Sequence, residues 1–154
     1  MWQRIQTVYL ALVALLYVVL LFLPIASFKG ENFELQFGLF NTIKILGEKQ
    51  DKVASHILLI LMCSFIIATA LFCISQFKNR KFQIKIAGLL YLLNAAFLVI
   101  EYFLQENILK QFSIVTKTYL AGTYLPLIAL LLVFLAQRGI KNDEELVKSA
   151  DRLR

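Results

Sequence analysis

Four long apolar runs, separated by short polar segments, dominate the hydrophobic pattern of the chain. Each run has about 20 residues, the length that an α-helix needs to cross the hydrocarbon core of a bilayer. The pattern therefore predicts four transmembrane helices. They cover residues 5–23, 57–75, 85–104 and 119–136.

The longest polar connection, residues 29–54, carries a second pattern in which apolar residues occupy every second position. This period of two is typical of a strand, and together with the residues just before it predicts a small extracytoplasmic β-hairpin over residues 25–39. A lone hairpin is marginal in water, so it needs helix ends or a partner to pack against. A short helix is predicted for residues 41–52. The alternating apolar residues are Phe33, Leu35, Phe37 and Leu39.

The tail after the fourth run is charged in both signs. Asn142 followed by Glu145 resembles the start of a helix, and the acids and bases that follow suit the two ends of a helix dipole. Leu146, Val147 and Leu153 share one face with Ala150. The expected fold class is thus an all-α membrane protein. It is a single four-span domain with the small hairpin and a short cytoplasmic amphipathic helix at the C-terminus.

The composition agrees with a membrane protein, since 60% of the residues are hydrophobic, 17% are charged and the mean hydropathy is +0.73. Of the sixteen lysines and arginines, six lie in the connections after the first and third helices, and the other ten lie on the opposite side. The positive-inside rule then predicts that both termini are cytoplasmic. The net charge of +6 is explained by topology and anionic lipid, and no nucleic-acid partner is expected.

The two strongly polar residues of the third run, Asn94 and Glu101, are the candidate chemical site. They are seven residues apart and share one helix face. An ionisable residue in a spanning segment is a functional hypothesis by default, namely a ligand, ion or proton site. The favoured alternative is structural: Glu101 lies near the outer helix end, where water and a polar cluster satisfy it. That cluster would include His56, Lys117 and Tyr124, with Thr118 and Thr123 beside them.

Signatures of catalysis are absent from the sequence. No His, Cys, Asp and Glu residues have metal-ligand spacing, and no glycine loop for phosphate is present. The chain has a single histidine, so a catalytic triad has one candidate base and weak prospects. Cys63 and Cys73 are about 15 Å apart along one helix, beyond disulfide reach. We therefore expect a protein that is not an enzyme and holds no cofactor or metal.

Two terminal motifs carry a resemblance to a known family. The first is QRIQT at residues 3–7, followed by Tyr9 and Leu10, and the second is DEELVKSADRLR at residues 143–154. With the four runs, they resemble an uncharacterised family of small four-helix inner-membrane proteins of Gram-negative bacteria, classed as a domain of unknown function. Trp2 stands where an aliphatic residue would be expected. The resemblance implies the architecture and a location in the bacterial inner membrane, and assigns no catalytic residue.

Both motifs lie on the predicted cytoplasmic side, where Gln3, Arg4 and Gln6 could meet the acidic turn at residues 143–145 and clamp the first helix to the tail. The expected function is a non-enzymatic accessory or scaffold subunit of an inner-membrane assembly. The alternative is a small oligomeric transporter or channel subunit that uses Asn94 and Glu101. The expected partners are the lipid bilayer and a membrane protein or further copies of the chain. The candidate interaction positions are Arg4, His56, Asn94, Glu101, Tyr124, Asp143, Glu144 and Arg152.

Overall fold

A computed structural model describes residues 5–31, 33–46, 49–77, 79–112 and 114–152, with side chains as far as residue 145. Within them the chain forms four helices and five strands. The helices are α1 (Ile5–Leu20), α2 (Ile57–Ser75), α3 (Arg80–Gln111) and α4 (Ala121–Arg152). The strands are β1 (Ala26–Lys29), β2 (Glu34–Phe37), β3 (Asn41–Leu46), β4 (Lys49–Ser55) and β5 (Thr116–Tyr119).

The four helices pack side by side in a ring. α1 contacts α2 and α4, and α3 contacts the same two helices. On α1 the side chains of Leu10, Val13, Tyr17 and Leu20 are buried, at the spacing of three or four residues that places them on one helix face. The opposite faces of the helices remain apolar and exposed, as Leu15 of α1 is. A helix whose exposed face is apolar as well as its buried face is typical of contact with lipid.

The five strands form one antiparallel sheet in the order β4-β3-β2-β1-β5. Ala26 of β1 pairs with Phe37 of β2 on one side and with Tyr119 of β5 on the other. Because β1 to β4 lie between α1 and α2, and β5 lies between α3 and α4, the sheet caps one end of the bundle. Phe28, Leu35 and Phe37 are fully buried and join the sheet to the helix core.

The predicted all-α class is therefore wrong. Strands do form and pair within residues 25–39, but they are two of five. The predicted short helix over residues 41–52 is also wrong, since this segment forms β3 and most of β4. Thr42, Ile43 and Ile45 are β-branched and suit a strand, and pairing β3 with β2 and β5 with β1 covers the edges that a lone hairpin would leave open.

The last two helices are longer than predicted. α3 starts at Arg80, where the side chain of Asn79 accepts a hydrogen bond from the Phe82 amide over 3.4 Å, and continues to Gln111. α4 runs without a break to Arg152, so the predicted separate tail helix starting at Asn142 is wrong. The segment between the fourth apolar run and Asn142 contains one glycine, Gly139. A single glycine costs a helix only about 1 kcal/mol relative to alanine, so the helix continues through it.

Two glycines allow close contacts along α4, one at its start and one just beyond its middle. A Cβ atom on Gly122 would lie 2.6 Å from the carbonyl oxygen of Pro24, to which the Gly122 amide donates a hydrogen bond of 3.2 Å. A Cβ atom on Gly139 would lie 2.8 Å from Cγ of Gln6. Small residues at these positions let α1 and the segment that follows it lie directly against α4.

Three of the helices are long and apolar enough to cross a membrane: Ile57–Ser75, Arg80–Gln111 and Ala121–Glu145. α1 has 16 described residues, shorter than the other three. The chain reverses direction at each helix, so both ends of its described part lie at the end of the bundle opposite the sheet. The short turn between α2 and α3 lies at that end too.

Candidate functional site

One face of α3 lines the interior of the bundle and carries buried polar side chains among apolar ones. From Ala87 onward the buried positions follow one another at steps of three or four residues, as one helix face requires. Four of them are polar, which is unusual in an apolar core. The polar members of this α3 stripe are Gln83, Asn94, Glu101 and Gln105.

Glu101 is 3% exposed and has one hydrogen-bond partner within the described part of the chain. The Nε2 atom of Gln105, one turn further along, donates to its Oε1 atom over 3.1 Å. The Oε2 atom of Glu101 and the Oε1 atom of Gln105 are buried without a partner among the described residues. Two neighbouring, hydrogen-bonded side chains therefore each keep one unsatisfied acceptor oxygen. The carboxylate oxygen can bind a proton or a hard cation, and the amide oxygen can bind a hard cation.

One charged side chain acts on Glu101 at a distance, and one buried phenol belongs to the same interior. Lys117 of β5 attracts it electrostatically but forms neither a hydrogen bond nor an ion pair with it. The ammonium group of Lys117 lies 4.8 Å from the ring centroid of Tyr119 and 5.7 Å from that of Phe28. Tyr17 of α1 is buried in the same interior, and its hydroxyl has no partner among the described residues.

Asn94 is fully buried, and neither its Oδ1 nor its Nδ2 atom has a partner in the described part of the chain. Seven residues of helix place it about 10 Å from Glu101 along the helix axis. The two side chains therefore lie at separate positions on the α3 stripe. Between them Phe97 packs edge-on against Tyr17, with ring centroids 5.3 Å apart. A buried amide without partners is costly, and a bound water or ion would satisfy it.

The polar cluster predicted around Glu101 does not form as expected. His56 is buried elsewhere, with its Nε2 atom 2.9 Å from the Thr42 hydroxyl and its ring 4.6 Å from that of Phe37. Burial lowers the pKa of His56 below its usual value. His56 thus fastens the start of α2 to the sheet, where it is held by Thr42 of β3.

The other predicted members of the cluster also point away or bind elsewhere. The Thr123 hydroxyl donates to the Ile25 carbonyl over 2.6 Å, and Tyr124 is 54% exposed. Thr118 pairs with Ser27 in the sheet. Of the predicted group, Lys117 is the residue that acts electrostatically on Glu101.

At the opposite end of the bundle, the predicted contact between the first helix and the acidic turn is confirmed for Gln6. Its Nε2 atom donates to Oδ2 of Asp143 over 2.7 Å, and the guanidinium of Arg80 donates to the Asp143 carbonyl over 3.0 Å. Glu144 is half-buried beside them. Arg4 and the side chain of Arg152 lie outside the described residues.

Sequence reasoning missed three residues of the site. Gln105 follows Glu101 by four residues, and this spacing was the available signal for their hydrogen bond. Tyr17 lies in an apolar run and nothing in the sequence marks it. Gln83 joins α2 to α3, because its Nε2 atom donates to the Cys73 carbonyl over 3.1 Å while the Cys73 thiol donates to the Gln83 carbonyl over 3.7 Å.

No three His, Cys, Asp or Glu residues of the described segments come together as a metal-ligand group. Cys63 and Cys73 are free and buried. The acceptors near Glu101 are instead a carboxylate, an amide carbonyl and a phenol, a set of oxygens without nitrogen or sulfur. Oxygen sets of this kind suit hard cations rather than transition metals.

The fold and the site define a helix-bundle protein with three helices long and apolar enough to cross a membrane, a sheet over one end and a polar stripe inside. The family model described as Domain of unknown function (DUF4293) matches residues 2–153, and the chain belongs to this family. A comparison with curated proteins gives no match.

Proposed function

We propose that the protein is a multi-pass protein of the bacterial inner membrane, crossed by all four helices, with both termini in the cytoplasm. The three long apolar helices and the exposed apolar side chains around the bundle support this proposal. The distribution of the sixteen lysines and arginines along the sequence supports the orientation, because six belong to the connections after the first and third helices and ten belong to the other polar segments. α1 would cross with the apolar residues that follow it as far as Leu23.

Reporter fusions test this topology. Fusions after Lys81 and at Arg154 should report a cytoplasmic location, and fusions near Lys49 and Lys110 a periplasmic one. A cytoplasmic signal near Lys49 would contradict the four-span arrangement.

Within that frame, we propose that the bundle binds a small cation, either a proton or an alkali metal ion, at Glu101. The observation that carries the proposal is the buried Oε2 atom of Glu101, which has no partner among the described residues. Buried charges in proteins are paired, coordinate a cation or are neutralised. The adjoining Oε1 atom of Gln105 is a second free acceptor, and the Tyr17 hydroxyl lies in the same interior.

The structural alternative, a carboxylate satisfied at a wet helix end, agrees less well with the geometry. Glu101 is 3% exposed, and α3 extends ten residues beyond it to Gln111. If Glu101 served only to join helices, its oxygens would accept hydrogen bonds from α1 or α4. Its hydrogen bond comes from Gln105, which lies on the same helix.

A cation site in the interior of four spans suits a small transporter or channel subunit. Apolar side chains such as Leu90 and Phe97 fill the interior above and below the polar positions. Four spans with a filled core rarely enclose a path alone, so this function requires further copies of the chain.

Ion flux into liposomes that contain the purified protein tests the proposal. One arm applies a pH gradient and the other a sodium gradient, so that proton and metal-ion movement are read separately. Glu101→Gln should abolish the flux while leaving the protein folded, because the amide keeps the shape and loses the charge. Glu106→Gln, the same change five residues along α3, is the matched control and should leave the flux unchanged. Equal flux from the wild-type and Glu101→Gln proteins would contradict the proposal.

An accessory or scaffold role is the second candidate, and the open edge of β4 favours it. β4 ends the sheet order, and residues 49–52 are exposed. An open edge of this kind pairs with a strand from another protein. Mild-detergent copurification would test it: an unrelated stoichiometric partner supports the accessory role, and its loss when β4 carries Gln50→Pro would locate the contact.

A further inference from the structure

A lateral groove lies between α2 and α3 near the turn that joins them. Its cavity has a volume of about 460 Å³. Two of its aromatic residues, Phe72 of α2 and Phe82 of α3, pack edge-on with ring centroids 6.4 Å apart. The residues that line it include Phe65, Thr69 and Phe72 of α2 and Phe82, Lys85 and Leu89 of α3.

The groove is apolar along its length and cationic at one place. The Thr69 hydroxyl already donates to the Phe65 carbonyl over 2.7 Å, so it offers no free donor to a ligand. Phe65, Phe72 and Leu89 are each about half exposed. Lys85 is an exposed cation on the lining. A ligand that fits this surface has a hydrocarbon part and an anionic group close to Lys85.

A second cation extends the charge toward the α2–α3 turn. Lys81 precedes Lys85 by four residues, so the two exposed ammonium groups lie on one face of α3. Arg80 is not available in the same way, because its guanidinium donates to the Asp143 carbonyl over 3.0 Å. The charge at the mouth of the groove is therefore carried by two lysines that can reach toward the membrane surface.

We propose that the groove binds one acyl chain of an anionic phospholipid, whose phosphate lies against Lys85 and Lys81. Basic pockets between membrane helices bind anionic lipid headgroups in this way. The cavity is in the size range of small-ligand sites, whereas a partner helix about 10 Å across needs a broad face rather than a cleft. The proposal rests on the proposed membrane insertion and is independent of cation binding at Glu101.

Native mass spectrometry of the detergent-solubilised protein tests the proposal, with phosphatidylglycerol and phosphatidylcholine added at equal concentration. Membrane fractionation before extraction reports insertion separately, so that a failure of insertion is distinguished from a failure of the lipid site. We expect one phosphatidylglycerol molecule per chain to be retained in preference to phosphatidylcholine. Lys85→Gln should reduce that preference about fivefold, the effect of about one lysine near a lipid headgroup.

Filling the groove tests the acyl-chain part of the proposal. Ala68 lines the groove and is exposed, so Ala68→Phe extends into it without entering the core. This variant should lose the retained lipid. Leu71→Phe on the same helix, outside the groove, and Lys110→Gln at the far end of α3 are the matched controls and should keep it. Equal retention of the two lipids, or full retention by Ala68→Phe, would overturn the proposal.

Discussion

The Nε2 atom of Gln6 donates a hydrogen bond of 2.7 Å to the carboxylate of Asp143, joining the first helix to the last near the two ends of the chain. Asp143 also accepts from Arg80 through its carbonyl. One acidic residue of α4 therefore connects to both α1 and α3 at the end of the bundle opposite the sheet. Both contacts are half-buried, so the connection is stronger than a surface pair.

We expect Asp143→Ala to lower the free energy of unfolding by about 1–2 kcal/mol, because a charge-assisted hydrogen bond is lost and the buried Gln6 amide loses this acceptor. Thermal unfolding in detergent measures this. Glu145→Ala, two residues further along α4 and exposed, is the control and should change stability by less than about 0.5 kcal/mol. Equal effects of the two substitutions would show that the contact contributes nothing.

Gly122 of α4 and Gly88 of α3 differ in which atoms an added methyl group would contact. Gly122→Ala places Cβ against the Pro24 carbonyl oxygen and the Ile25 Cα atom, which are backbone atoms that cannot turn away. We expect this substitution to lower the free energy of unfolding by about 1–3 kcal/mol. Gly88→Ala is the matched test within α3, since its Cβ would lie 3.3 Å from the end of the flexible Gln137 side chain. Gly88→Ala should leave the free energy of unfolding unchanged or raise it by up to about 1 kcal/mol. An equal decrease in both variants would contradict this packing argument.

Stability should depend on pH through His56. Burial lowers its pKa in the folded protein below the usual value of 6.5, so the unfolded chain binds the proton more readily. The contribution of neutral His56 is then fully present above about pH 6.5 and decreases as the pH falls below that value, by at most about 1.4 kcal/mol per pH unit. Melting temperatures at pH 8 and pH 5 should differ more for the wild type than for His56→Gln, and identical pH profiles would exclude the effect.

Lys117 should weaken cation binding at Glu101, because its charge attracts the carboxylate and repels an incoming cation. Lys117→Gln is therefore expected to increase cation affinity severalfold. Lys44→Gln is the matched control, since Lys44 also lies over aromatic rings, 4.6 Å from the Phe33 centroid. Titration of the purified protein with sodium or with acid measures both variants, and unchanged affinity in Lys117→Gln would remove Lys117 from the site.

The helices could be predicted from the sequence because an apolar run of about 20 residues matches the thickness of a bilayer and is rare in soluble domains. The sheet beyond the β1–β2 pair could not be predicted. Charged residues such as Lys44 and Asp51 interrupt the alternation in β3 and β4, and β5 is four residues long and pairs with a strand far away along the chain. Long-range pairing of this kind leaves no local pattern.

Only part of the candidate site could be predicted, because the rest depends on how the helices and the sheet pack. Asn94 and Glu101 stood out as polar residues in an apolar run, but a third helix ending at residue 104 placed Glu101 at a wet end. Its burial depends on α3 continuing to Gln111 and on the sheet that lies over that end of the bundle. Tyr17 belongs to the interior through helix packing alone, which the sequence of α1 does not reveal.

Infrared difference spectroscopy of the Glu101 carboxyl group tests the central claim most directly, because it reports whether that one group takes up and releases a cation. The purified protein is compared with Glu101→Gln while pH and sodium concentration are varied. We predict a carboxylic acid C=O band that is absent from Glu101→Gln and disappears as the pH is raised or sodium is added. A spectrum that shows no difference between the two proteins, or a Glu101 band indifferent to both pH and sodium, would contradict cation binding at Glu101.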